Sequence, residues 1–148
     1  SDLLDCSDNI NLKSIDGLTP LDFASYTSDL RSIEFLISNG AIINDDDRSA
    51  LIHASYFSNY SVIEFLLRRG ADPNYKGLNG YTPSHVLLEC CGDGFGESIK
   101  LTDRVKSLKI LHRYGANFKI TNSSGKSVLD FLEYRNKVKD KLEDENIL

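Results

Sequence analysis

The sequence predicts an all-α solenoid of stacked helix-turn-helix units joined by β-hairpin or loop connections. Three observations lead there. The first is the stretch Ser49–Asn74, which holds two short amphipathic segments and a turn. Ala50–Phe57 places Leu51 and Ala54 on one face, and Ser61–Arg69 carries Val62, Ile63, Phe65, Leu66 and Leu67 before Gly70. Each segment is only about two turns of helix, too short to persist in water, yet its apolar face is too large to leave wet. The second observation is that the chain supplies copies. Ile33-Glu34-Phe35-Leu36-Ile37-Ser38-Asn39-Gly40-Ala41 returns as Ile63-Glu64-Phe65-Leu66-Leu67-Arg68-Arg69-Gly70-Ala71, and again as Leu108-Lys109-Ile110-Leu111-His112-Arg113-Tyr114-Gly115-Ala116. The third is fixed spacing. Gly70 to Thr82 and Gly115 to Ser127 are both 12 residues, and Thr19 to Gly40 and Ser49 to Gly70 are both 21. The resulting period of 33 marks helix pairs that can bury their apolar faces only against one another.

Two phrases within that period carry a resemblance. Thr19-Pro20-Leu21-Asp22 and Gly70-Ala71-Asp72-Pro73-Asn74 are similar to the helix-starting Thr-Pro-Leu-His and the closing Gly-Ala-Asp-x-Asn of ankyrin repeats. The resemblance extends over nearly the whole chain and implies an ankyrin-repeat solenoid. It implies little about activity, since one fold hosts many functions.

The expected organisation is a single domain, 1–148. It has a partial repeat at 1–13 and repeats at about 14–44, 45–74 and 75–117, with a C-terminal cap at 118–148. Leu3-Leu4-Asp5-Cys6-Ser7 aligns with Leu66-Leu67-Arg68-Arg69-Gly70, so the sequence opens in mid-repeat. Further repeats before Ser1, or an atypical half-repeat, both account for that. In the first complete repeat Thr19 is the expected N-cap and Pro20 the first helical residue, where its missing donor costs nothing. A helix over Pro20–Thr27 follows. Asp29 then caps a second helix over Leu30–Asn39, and Gly40 supplies a left-handed stop.

The second repeat begins through a short hairpin, with 9 residues between Gly40 and Ser49. Asp45-Asp46-Asp47 and Arg48 sit at its tip. An acidic pad for a basic partner and a solvated turn both fit. Calcium loops alternate their oxygen ligands, which favours the turn. In the third repeat Ser84 stands where ankyrin repeats carry Leu, and Leu87-Leu88 stand where they carry small residues. Gly115 lies 33 residues after Thr82, so 12 residues are inserted near 89–100. Gly92-Asp93-Gly94-Phe95-Gly96 lacks the strand and helix of a nucleotide fingerprint, and a loop between helices is expected. Thr102 is the expected cap of a longer helix, Asp103–Tyr114. Lys100, Arg104, Lys106, Lys109 and Arg113 would make a solvated basic stripe on it. In the fourth repeat Leu129, Leu132, Val138 and Leu142 continue the core, while charges face water as a terminal repeat requires.

Bulk properties narrow the function classes. A net charge of −5 argues against a general polyanion-binding surface, and so against nucleic acid. No long apolar run points to a membrane and no signal peptide is evident. Three cysteines, without metal or disulfide spacing, suit a reduced intracellular protein of the cytoplasm or nucleus. Vicinal Cys90-Cys91 reads as a buried thiol pair.

His53, His85 and His112 fall at no metal-ligand spacing. The resemblance gives His85 a structural role, bonding the backbone of the adjacent turn. His112 shares a column with Ile37 and Leu67 and is expected to be partly buried. Ser84-His85 beside Cys90-Cys91 suggests a nucleophile and base, but no orienting acid or oxyanion loop accompanies them. No catalytic residue, cofactor or metal is therefore expected.

Binding is the better-supported expectation. In ankyrin arrays the hairpin tips and the inner face of the first helix of each pair form a concave surface that takes protein partners. Carried over, the tips contribute Leu18, Asp46, Arg48, Tyr81 and Lys126, and the helix ends contribute Tyr26, Tyr56, Phe57, Glu89 and Tyr134. Tyr26, Tyr56 and Tyr134 fall seven residues after Thr19, Ser49 and Ser127. Tyrosine joins a large apolar area to a polar tip, which suits an interface. These rings either line a groove, with Phe57 and Tyr81 beside them, or pack over helix ends; the pattern leaves both open. The expected protein is a non-enzymatic adaptor, scaffold or inhibitor that binds a protein or peptide. The alternative is a targeting domain of a larger enzyme, channel or pathogen effector.

Overall fold

The computed structural model describes residues 9–45, 49–89 and 100–148. Among them are eight α-helices: α1 Pro20–Thr27, α2 Leu30–Ser38, α3 Ala50–Tyr56, α4 Tyr60–Arg68, α5 Pro83–Glu89, α6 Leu101–Arg113, α7 Val128–Glu133 and α8 Asn136–Glu143. They form four hairpins, each packing an odd-numbered helix on the next even one. In one layer α1, α3, α5 and α7 stack in order, and in the other α4, α6 and α8 do so.

Local chemistry sets the helix starts. The Thr19 hydroxyl accepts from the Asp22 N–H at 3.2 Å while the Asp22 carboxylate accepts from the Thr19 N–H at 2.9 Å. Ser127 and Asp130 repeat this reciprocal cap at 3.3 and 2.7 Å. Each cap satisfies two backbone donors that the first turn leaves without partners. Asp29 and Asn59 cap α2 and α4. Asn59 therefore starts α4 at Tyr60, one residue before the sequence suggests. The α1–α2 and α3–α4 turns run through Ser28 and Ser58 at φ 64° and 52°, a left-handed conformation that non-glycine residues seldom adopt. Gly40 ends α2 at φ 93°, as expected.

Neighbouring repeats are tied by asparagines. The Asn11 amide donates to the Gly40 carbonyl at 3.1 Å and accepts from the Ile42 N–H at 2.8 Å. Asn44 does the same with Gly70 (3.0 Å) and Asp72 (2.9 Å), and Asn74 with Gly115 (2.9 Å) and Asn117 (2.7 Å). Each bridge thus serves one carbonyl and one N–H beside the helix stop of the next repeat.

The core runs through the stack as one cluster including Leu21, Ile33, Leu51, Ile63, Leu108 and Leu142. In the third repeat Ser84 occupies the register of Leu21 and Leu51, and Leu87 and Leu88 replace Ala54 and Ser55. All of these are buried. The swap keeps apolar volume in the layer while moving it along α5, the kind of exchange cores tolerate.

Three expectations are corrected. Thr102 does not cap α6; the helix begins at Leu101, with Lys100 at the cap position and no side-chain cap. Leu101 packs on the core, and its burial offsets a hydroxyl cap worth about 1 kcal/mol. Arg104 is buried, and so leaves the supposed solvated stripe. Three others of that stripe are partnered: Lys109 pairs with Glu145, Arg113 with Glu64, and Lys106 lies over the Tyr60 ring. His112 is exposed, its ring beside Phe118 at 5.6 Å. The register shared with Ile37 and Leu67 records only that the residue lies near the end of an even helix.

Candidate functional site

The layer of odd-numbered helices and the loops that precede them carry the candidate site. Three of these loops share one frame. Gly17 N–H donates to Ser14, Gly80 N–H to Gly77 and Gly125 N–H to Asn122, each closing a tight turn. The returning bond is Ser14 to Leu18 at 2.9 Å, Gly77 to Tyr81 at 2.8 Å and Asn122 to Lys126 at 2.8 Å. Gly80 is required twice over. Its φ is 72°, and a Cβ there would come within 2.9 Å of the Ser123 nitrogen. That close approach lets the Ser123 N–H donate to the Asn79 carbonyl, joining two successive loop tips. In the second repeat Asn44 and Ser49 bridge the loop ends. Asp46, Asp47 and Arg48 lie outside the described residues, and so do Cys6, Cys90, Cys91 and the glycines of Gly92–Gly96.

Each tip candidate has a definite place. Leu18 is half-buried beneath its turn, and Lys126 is exposed while its carbonyl accepts from the His85 ring at 3.0 Å. Tyr81 is half-buried, stacked on His85 at 5.7 Å and edge-on to Phe131 at 6.4 Å. It therefore belongs to the junction of the third and fourth repeats. Asp45 is held by Lys13 at 3.1 Å. Ile15 and Leu78 stand fully or largely exposed at equivalent places in two tips.

The helix-end candidates fall in line. Tyr26, Tyr56, Glu89 and Tyr134 each lie seven residues after the cap position of their repeat, at the C-terminal ends of four helices that stack consecutively. All four are exposed, Tyr26 by 54% and Tyr134 by 81%. Phe57 joins them: its ring meets Tyr26 edge-on at 4.7 Å, so the first two repeats build one aromatic surface. Among the described residues the Glu89 carboxylate makes no hydrogen bond or ion pair, and its charge acts on the His85 ring one turn back. The sequence pattern singled out the tyrosines of this line, but the pairing of Tyr26 with the following repeat's Phe57 required the stacked geometry.

The His85 ring is occupied structurally. The Thr82 N–H can only donate, so His85 Nδ1 accepts it at 3.2 Å and the ring proton sits on Nε2, facing the Lys126 carbonyl. Burial holds this imidazole below its usual range, with the Lys126 bond opposing the shift. Both nitrogens are therefore engaged, and no lone pair remains for the neighbouring Ser84 hydroxyl. Among the described residues no three His, Cys, Asp or Glu side chains gather as a metal site. No helix there is long and apolar enough to cross a membrane.

The family model of ankyrin repeats, in 3 copies, matches residues 1–77. No curated protein matches the sequence.

Proposed function

The chain belongs to the ankyrin-repeat family, whose members are in general protein–protein interaction modules, and we propose that it is a non-enzymatic adaptor, scaffold or inhibitor. The partner docks on the odd-helix layer. The observation that carries this reading is the exposed line Tyr26, Tyr56, Glu89 and Tyr134, with Phe57 closing on Tyr26. Exposed rings at one register of a repeating stack are costly to leave in water and suited to an interface core. The stack presents them on short, capped helices tied by buried leucines and asparagine bridges, so little ordering entropy is lost on binding. We place it inside the cell, in the cytoplasm or nucleus. Repeats rich in Asn, Ser and Ile also suit a host–pathogen setting. In the alternative reading the same surface targets a larger enzyme, channel or effector to which these residues are joined.

Affinity capture from a native lysate tests the proposal. The wild-type chain is expected to retain a defined protein that Tyr56→Ala loses about tenfold or more, as an interface tyrosine would, with melting unchanged. Equal loss of binding and of stability would assign Tyr56 to packing and defeat the reading.

A further inference from the structure

The two layers differ in charge. The odd helices α1, α3, α5 and α7 carry Asp22, Glu89, Asp130 and Glu133 and no lysine or arginine. The even helices carry nine lysines and arginines against five acids. Three of the four odd-layer acids are already engaged: Asp22 and Asp130 in helix caps, and Glu133 by Lys139 at 2.8 Å. Glu89 is left, exposed, in the middle of the tyrosine line. Aromatic faces of the even layer are covered by the chain's own cations: Arg69 over Phe65 at 4.9 Å, Lys106 over Tyr60 at 3.8 Å and Arg113 over Tyr114 at 5.9 Å. Among the described residues the odd layer is thus an aromatic and acidic face on which no lysine or arginine pairs with Glu89 or covers Tyr26, Phe57 or Tyr134.

We propose that this face takes an extended peptide segment of a partner protein, with an arginine seated on Glu89 and apolar side chains on the tyrosines to either side. The inference rests on the reading of the odd layer as the binding surface and adds the partner's chemistry. Packed helices lie about 8–10 Å apart, so four helices span about 24–30 Å. A polyproline II segment advances about 3.1 Å per residue with three residues per turn, so about eight to ten residues cross the line, one step along it equals about three residues, and every third side chain returns to the same face. The spacing follows directly. The arginine faces Glu89, and the residues three positions before and after it meet Tyr56 and Tyr134. Arginine is preferred over lysine because its planar fork can grip a carboxylate with two parallel bonds while its face lies against a ring.

The probe is a synthetic nine-residue peptide with arginine at its centre, leucine three residues to either side and glycine or serine elsewhere. Its twin has glutamine for arginine. Binding is read by fluorescence anisotropy. The arginine peptide is expected to bind about tenfold tighter than its twin, the increment of a charge-assisted hydrogen bond. Glu89→Gln should abolish that preference with unchanged melting, and Glu89→Arg should transfer it to a glutamate-centred peptide. Equal binding of the two peptides, no saturable binding of either, or a preference that survives Glu89→Gln overturns the proposal. If Tyr56→Ala weakens both peptides while Glu89→Gln leaves the arginine preference intact, the docking face stands and the arginine assignment falls. If Tyr56→Ala and Tyr134→Ala change neither, both fall.

Discussion

The first and second repeats carry nearly the same words and bury them differently. Ile33-Glu34-Phe35-Leu36-Ile37 in α2 and Ile63-Glu64-Phe65-Leu66-Leu67 in α4 differ by one methyl arrangement. Yet Leu66 is fully buried and Leu36 only half so; Phe35 is 66% exposed, Phe65 half-buried and the equivalent Ile110 of α6 only 4% exposed. Phe23, Phe35 and Leu36, with Pro20, Ala24 and Thr27, line an open groove between α1 and α2. Further along the stack α6 packs on α4 and α8 on α6. Burial in a stack is a property of the interface between repeats rather than of the repeat, which is why such arrays behave as one-dimensional systems.

Substitutions in these matched words test that lesson most strongly. Leu66→Ala should cost about 2–5 kcal/mol by urea denaturation, because it empties a closed site, and Leu36→Ala about 1–2 kcal/mol. Equal losses would mean that α2 is as tightly covered as α4 and would dissolve the contrast. The asparagine bridges should behave in the opposite way. Asn11→Ala and Asn44→Ala each remove two bonds of the same kind and should cost about 1–2 kcal/mol alike. A much smaller loss at Asn11 would show that the bridges draw their strength from burial nearby.

The smallest effect separates the third repeat from the first two by pH. The cap register holds Asp22, Ile52, His85 and Asp130 in the four repeats. The folded pKa of His85 is lowered by burial, so as pH falls through about 6.5 the unfolded chain takes up the proton first. The stability this group contributes is present above that value and is lost as pH falls toward the folded pKa, by at most about 1.4 kcal/mol per pH unit. His85→Asn should flatten that part of the stability profile. Asp130 has a pKa lowered by its bonds to Ser127, so its contribution survives to lower pH and disappears only below the usual carboxylate range. Amide exchange in mild acid should therefore open the junction of the third and fourth repeats before the Ser127 cap fails. Opening that begins at the Ser127 cap would contradict the assignment.

Most of the architecture is legible in the residues. The Thr19-Pro20 start, the Asp29 cap and the Gly40 stop are local events, each completed within about four residues of chain, and the 33-residue period repeats them. The line of Tyr26, Tyr56 and Tyr134 is legible for the same reason, since equal offsets from equal caps place side chains alike. Local rules fail where a distant surface decides. The start of α6 follows the docking of Leu101 rather than the hydroxyl of Thr102, and Arg104 is buried although a charge pattern puts it in water. His112 is exposed although its column is apolar elsewhere.

By itself, then, the sequence determined the repeat, its helices and their caps, because hydrogen bonds between near neighbours depend only on nearby residues. The tertiary structure alone decided which copy of a shared apolar phrase is dry, which asparagine reaches which carbonyl 26 to 41 residues away, and that Phe57 closes on Tyr26. Those outcomes depend on the next repeat's surface, and contact energy exists only once two repeats meet.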